Sequence, residues 1–413
     1  MSFGQLDINS VIPSGNDLRV LLNSDHISYG EIHKLLQEKG IYIWDSDKSV
    51  TVPLLCSTLL LPDEFTRLIE ASITRESKPK NKKSSVELIN SSKDWTDSIR
   101  DLIIDDTVLP NKGIDIIKFD SSPFVEVENS NSVKITYSIT NKKYNEDWVK
   151  SELKFNAEIR ITNKKGKLQL DFYSTHTSKE TDSINRNIIK VITQTLYNDK
   201  CIQRDELNQI CFKSFNNQER VLFFKRLTSG LNRKFSNGDV DNIEITFDQS
   251  IQNIADNPQI TWMKKAVKKL KIDGERLHEI FLISDNSYYE HYYIQKMDIE
   301  YPFKIGANNG KCKICFFFSA PTKKEEDYFK SELTFSFIKA SFDTDPNKDA
   351  KKEVIEAINL GVQEMIDNSY QLTLKDRNKR FIDYFNKYSW SKFDKNLNLF
   401  MNNIGLLNLF SKF

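Results

Sequence analysis

Glu152-Leu153-Lys154 sets an acid and a lysine two residues apart in a stretch that alternates apolar and polar side chains. On a β-strand that spacing puts both on one face. There the carboxylate of Glu152 can hold Mg²⁺ and the ammonium of Lys154 can polarise an attacking water. Three other groupings carry chemical potential. Cys312 and Cys315 have CxxC spacing, and His176 stands in the polar run Ser174-Thr175-His176-Thr177-Ser178. Lys264, Lys265, Lys268, Lys269 and Lys271 recur at helical spacing and predict one basic helix face suited to phosphates.

Each grouping also has a plainer reading. Residues three apart on a strand point to opposite faces, so Cys312 and Cys315 cannot share a metal without a turn. A polar run makes His176 a solvated loop histidine, and a lysine run is often a solvated face. His26, His33, His176, His278 and His291 show no metal-binding spacing. No glycine-rich phosphate loop and no GxSxG elbow is present, and 13 glycines in 413 residues leave little room for one. No metal site and no resident cofactor is expected, with Mg²⁺ required only if Glu152 and Lys154 are catalytic.

Those residues must be positioned by a body with real cores. The chain is 39% hydrophobic and 11% aromatic, and its length predicts two or three domains. Lys and Arg total 59 against 58 Asp and Glu, so nucleic-acid binding would need local basic faces. The longest apolar run, Val52–Leu61, is too short to span a bilayer, and the N-terminus shows no signal peptide. Five scattered cysteines make no disulfide framework, which points to a reducing cytoplasm.

The strongest sequence signal is an internal repeat. Pro123-Phe124 lies over Pro302-Phe303, Lys134-Ile135 over Lys313-Ile314, and Glu146–Phe155 over Glu326–Phe335, the last with seven of ten residues identical. Trp95–Leu102 and Trp262–Leu270 read as equivalent helices upstream; Ile188–Ile192 and Val354–Ile358 read as equivalents downstream. The expected fold class is α+β: a small helical N-terminal module, then two tandem, internally duplicated domains with antiparallel sheets. The expected boundaries are a module over 1–75, a basic linker over 76–91, repeat 1 over 92–235, a connector over 236–257, and repeat 2 over 258–413 with an apolar C-terminal helix.

In the N-terminal module, Ser28-Tyr29-Gly30-Glu31 is a capping box. Ile32, Leu35 and Leu36 form an apolar stripe, Gly40 ends the helix, and an extended Ile41–Asp47 leads to Lys48 and a second helix with Pro53 in its first turn. A third helix opens at Pro62-Asp63-Glu64. Glu31, Leu35, Leu36, Gly40, Ile41, Lys48 and Leu54-Leu55 resemble the helix–extended loop–helix of SAP-like modules. That resemblance implies DNA binding through the loop and second helix, Lys48 included. A helical protein-docking module is the alternative. A SAP-like head on a body without catalytic motifs resembles accessory proteins of bacterial anti-phage defence systems.

The preferred reading is a non-enzymatic, cytoplasmic subunit that binds DNA, RNA or a protein partner, with no membrane contact. Its nucleic-acid contacts are expected at Lys48, Lys264, Lys265, Lys268 and Lys269. Two alternatives remain. One is a Mg²⁺-dependent nuclease resembling the PD-(D/E)xK family through Glu152 and Lys154. The other is a structural homo-oligomer built on the apolar residues 397–413.

Overall fold

The computed structural model describes residues 15–23, 27–45, 47–68, 78–89, 94–110, 116–142, 152–163, 168–230, 234–251, 258–267, 269–277, 280–319, 330–344 and 346–387. The expected C-terminal helix over 397–413 lies outside them. The fold is α+β, with an N-terminal helical region followed by antiparallel strands and further helices. By contact density the chain divides into two units. The first comprises residues 1–79, 95–159 and 175–195; the second comprises 80–94, 160–174 and 196–413. These units interleave along the sequence and do not follow the expected tandem boundaries.

The first unit begins with helices α1 (Gly15–Asn23), α2 (Tyr29–Glu38), α3 (Lys48–Cys56) and α4 (residues 62–68). Both halves of the capping box form: Glu31 N donates to Ser28 Oγ at 3.3 Å, and Ser28 N donates to Glu31 Oε2 at 2.8 Å. Gly40, at φ +78°, closes α2 with a Schellman pattern in which Ile41 N donates to Leu36 O and Gly40 N to Gln37 O, each at 2.9 Å. Pro53 sits in the interior of α3 and not in its first turn, because the helix already starts at Lys48 behind the cap Asp47. α1 was not signalled by any cap. It supplies Leu18 and Leu22 to a core with Ile32, Leu36, Val52, Leu55 and Phe65.

The same unit contains α5 (Trp95–Arg100), β2 (Ile116–Phe119), β3 (Phe124–Asn129) and β4 (Ser132–Lys142), with β2 and β3 both antiparallel to β4. Alternation along β4 buries Val133, Ile135, Tyr137 and Ile139. Tyr137 Oη bonds Asn185 Oδ1 at 2.8 Å and Thr181 O at 3.0 Å, both on helix α6 (Lys179–Asn198).

The second unit, which also contains β7 (Asn208–Gln209), α8 (Pro258–Ala266) and α9 (Phe281–Ser284), is built on β1 (Lys80–Glu87), β8 (Asp239–Phe247), β9 (Lys269–Asp273), β10 (Tyr292–Ile305), β11 (Asn308–Ser319) and β12 (Glu332–Phe342). They pair antiparallel in the order β1-β12-β11-β10-β8-β9. One face of this sheet packs on α7 (Asn217–Leu227) and the long α10 (Lys348–Lys387) through an aromatic-rich core that includes Phe224, Phe247, Tyr301, Phe316 and Phe335. Gly310 is obligatory, since a Cβ there would lie 2.1 Å from the Ser341 carbonyl on β12.

Two expected boundaries are corrected. Residues 80–87, expected as a solvated linker, form β1 and pair with β12 in the register Lys82↔Thr334. The lysine stems bury while their ammonium groups meet carboxylates: Lys82 with Glu332 at 3.1 Å, and Lys83 with Asp171 at 3.1 Å and Asp367 at 2.5 Å. Asp171 lies on β6 (Gln169–His176). The expected connector over 236–257 contains β8, an inner strand with Val240, Ile243, Ile245 and Phe247 buried.

Strand positions agree with the repeat offsets. β4 and β11 fall at matching places, as do β5 (Glu152–Asn163) and β12.

Candidate binding surfaces

In the first unit the segment between α2 and α3 is extended, so alternate side chains face opposite ways. Ile41 and Ile43 turn inward onto the module core. Tyr42 is 78% exposed and Trp44 fully exposed. The segment is held in place, with His33 Nε2 3.0 Å from Ile43 O and Asp45 Oδ1 accepting from Asp47 N at 2.9 Å. Lys48 Nζ lies 5.4 Å from the centroid of Tyr29, itself half exposed. Leu59 and Leu61, beyond α3, are also exposed. The surrounding charge is acidic, with ten Asp and Glu against seven Lys and Arg over residues 16–78. That balance opposes a phosphate backbone, and an aromatic pair on a fixed loop suits a protein interface instead.

The expected basic helix in the second unit does not exist as one element. α8 ends at Ala266, and β9 starts at Lys269. Strand formation wins there because Leu270 and Ile272 alternate inward against Ile245 and Ile243 of β8. Lys265 is exposed at the end of α8, while Lys264 donates to Ile251 O. Lys268 lies outside the described residues. Lys269 pairs with Glu244 at 2.5 Å. Arg226, on α7, donates to Thr373 Oγ1 at 2.6 Å and to Asp376 on α10.

The strand register instead assembles a polar face that sequence spacing could not show. One cross-strand row runs Lys271, Glu244, Lys296, Phe317, Thr334, Lys82. The next runs Asp273, Asn242, Asp298, Cys315, Ser336, Lys80. Lysines and carboxylates on this face are mutually paired, as in Lys313–Asp241 at 2.7 Å and Lys296–Asp298 at 3.6 Å. Asp298 is 5% exposed, and its Oδ1 has no hydrogen-bond partner among the described residues. A shallow cleft of about 340 Å³ is lined by Glu244, Lys269, Gln295, Lys296, Cys315, Phe317 and Phe318.

Cys312 and Cys315 face opposite sides of β11 as strand geometry requires. Cys312 enters the apolar core beside Tyr301, and burial pushes its thiol up to about 12. Cys315 lies on the polar face, where burial, reinforced by Asp298, also raises its thiol well above the ordinary value. None of the five cysteines is in a disulfide.

Glu152 and Lys154 both fall on β5, and Lys154 is exposed. The acid that aligns with Glu152, Glu332, pairs with Lys82; Ser331 O accepts from Phe212 N at 2.8 Å, and Leu333 N donates to Ile210 O at 2.8 Å. Ser331-Glu332-Leu333 therefore holds structural contacts. Among the described residues no group of three or more His, Cys, Asp or Glu is placed to hold a metal ion. His176 is not a solvated loop residue: it ends β6, is 4% exposed, and lies 3.7 Å from Asp182.

Charged residues also lock the helices of the second unit. Glu219 on α7 is fully buried and receives Arg377 Nε at 3.0 Å, Arg377 Nη2 at 2.7 Å and Arg380 Nη2 at 2.7 Å. This bidentate clamp fixes α10 against α7.

Residues 16–78 match the family described as the GAPS4b protein N-terminal domain. That family is linked to anti-phage defence. No curated protein matches the chain. Among the described residues no helix is long and apolar enough to cross a membrane.

Proposed function

We propose that the protein is a non-enzymatic accessory subunit of a bacterial anti-phage defence complex, acting in the cytoplasm. Its N-terminal module docks a protein partner through Tyr42 and Trp44. The observation that carries the reading is the pinned loop: Ile41 and Ile43 are packed inward while Tyr42 and Trp44 stand in solvent. Large aromatics presented on a fixed backbone lose little entropy on binding and dominate protein interfaces. The acidic balance of the module favours a partner patch that is apolar with a basic rim. The match of residues 16–78 to a defence-linked family supports the cellular setting, and five cysteines outside any disulfide suit a reducing compartment. The remainder of the chain, on this reading, is a body of two diverged copies of one unit, supported by the matching placement of β4 with β11 and β5 with β12.

The test is phage protection by cells carrying the intact locus, combined with co-purification of the products of the flanking genes. Tyr42→Ala/Trp44→Ala should abolish both protection and a stoichiometric complex while leaving the melting temperature unchanged, since neither side chain is buried. Full protection by that variant would end the proposal.

A further inference from the structure

The geometry points to a nucleotide site in the cleft on the polar sheet face, selective for a base that carries an exocyclic amino group. Phe317 opposes Lys296 across the β10–β11 pair, with its ring partly exposed in the cleft. An aromatic face at the floor of a cleft is a stacking platform for any base. Gln295 is the extra residue of a β-bulge between Ile294 and Lys296, and it lines the cleft. Bulges re-aim a side chain out of the regular alternation. A glutamine amide offers both a donor and an acceptor to a base edge.

Two cations complete the set. Lys269 and Lys296 keep 53% and 31% of their side chains exposed. Among the described residues each meets one carboxylate, Glu244 at 2.5 Å and Asp298 at 3.6 Å, whereas an ammonium has three donors. Both therefore retain hydrogens for a phosphate. Glu244 contributes an acceptor beside them, and a carboxylate at a base edge takes a hydrogen bond from the amino group of adenine or cytosine. Stacking ring, amide, carboxylate and paired ammonium groups are the complement of an amino-bearing nucleoside phosphate. The cleft, at about 340 Å³, falls in the range of small-ligand sites.

The same chemistry is offered by a free nucleotide and by one nucleotide of a single strand. The experiment titrates the full-length protein with fluorescent mant-AMP and, separately, with a labelled (dA)₁₂ strand, at ~0.15 M salt. Saturable binding of either probe is expected. Phe317→Leu and Lys296→Met should each weaken it about tenfold, the scale of one lost stacking or phosphate contact. The first variant keeps an apolar strand residue and the second keeps the side-chain stem, so unchanged melting temperatures will show that both fold. Binding of mant-AMP identifies a free nucleotide as the ligand, and binding of (dA)₁₂ alone identifies a nucleotide within a strand; both outcomes sustain the site. Absence of saturable binding by both probes, or equal affinity in the two variants, overturns it.

Discussion

At the scale of single residues, two buried groups make measurable commitments. Glu219 is fully buried, and its carboxylate accepts from Arg377 Nε at 3.0 Å and from Arg380 Nη2 at 2.7 Å. Glu219→Gln removes the charge and leaves Arg377 buried without its counter-ion, which should cost about 3 kcal/mol in chemical denaturation of the second unit. Replacing Glu219 and Arg377 together by Met should cost less than the single change, because the buried Arg377 charge leaves with its counter-ion and Arg380, with 37% of its side chain exposed, can turn to water. His291 is 3% exposed, and burial lowers its pKa, with Glu290 partly offsetting that effect. A base with a depressed native pKa takes up its proton first in the unfolded chain. Its neutral form therefore favours folding above the unfolded value of about 6.5, and that contribution is lost as pH falls from there towards the lower folded value. Stability measured across this window should fall less steeply in His291→Gln than in the parent protein.

At the scale of elements, local chemistry was legible wherever a short motif closes on itself. The capping box at Ser28 and the glycine stop at Gly40 bracket α2 because both are satisfied within a few residues of the helix end. Ser28→Ala should destabilise α2 by about 1 kcal/mol, read as faster amide exchange through residues 31–36. The same local reasoning failed where partners are remote. Lysines in sequence mark solvated chain, yet Lys82 and Lys83 belong to β1 because Glu332, Asp171 and Asp367 come to meet them. Lys264 to Lys271 read as one helix face, but the apolar pair Leu270 and Ile272 pulls the second half into β9. No single-sequence signal named the loop aromatics as exposed. The alternation Ile41, Tyr42, Ile43, Trp44 held that information once the segment was known to be extended.

At the scale of the whole molecule, the placement of β1 predicts where the chain can be cut. Residues 80–94 group with the second unit, and β1 pairs with β12. Removing residues 1–78 should leave the thermal transition of the second unit near its parent value. Removing residues 1–90 should lower it by several degrees, since an inner pairing and the Lys83 ion pairs are lost with it. Equal behaviour of the two truncations in calorimetry would contradict the assignment of β1. The first truncation should also remove partner docking, which connects this test to the proposed role of Tyr42 and Trp44.

The sequence by itself determined the α+β class, the helical N-terminal module with its caps, and the opposed faces of Cys312 and Cys315. Each follows from periodicity or from hydrogen bonds between near neighbours, which are written into consecutive residues. Only the tertiary structure decided that the basic stretch is a strand, that His176 is buried, and that Lys271, Glu244, Lys296, Phe317, Thr334 and Lys82 stand in one row. Those facts depend on which strand pairs with which and in what register. A shift of one residue would turn every one of those side chains to the other face, and no local pattern reports the choice.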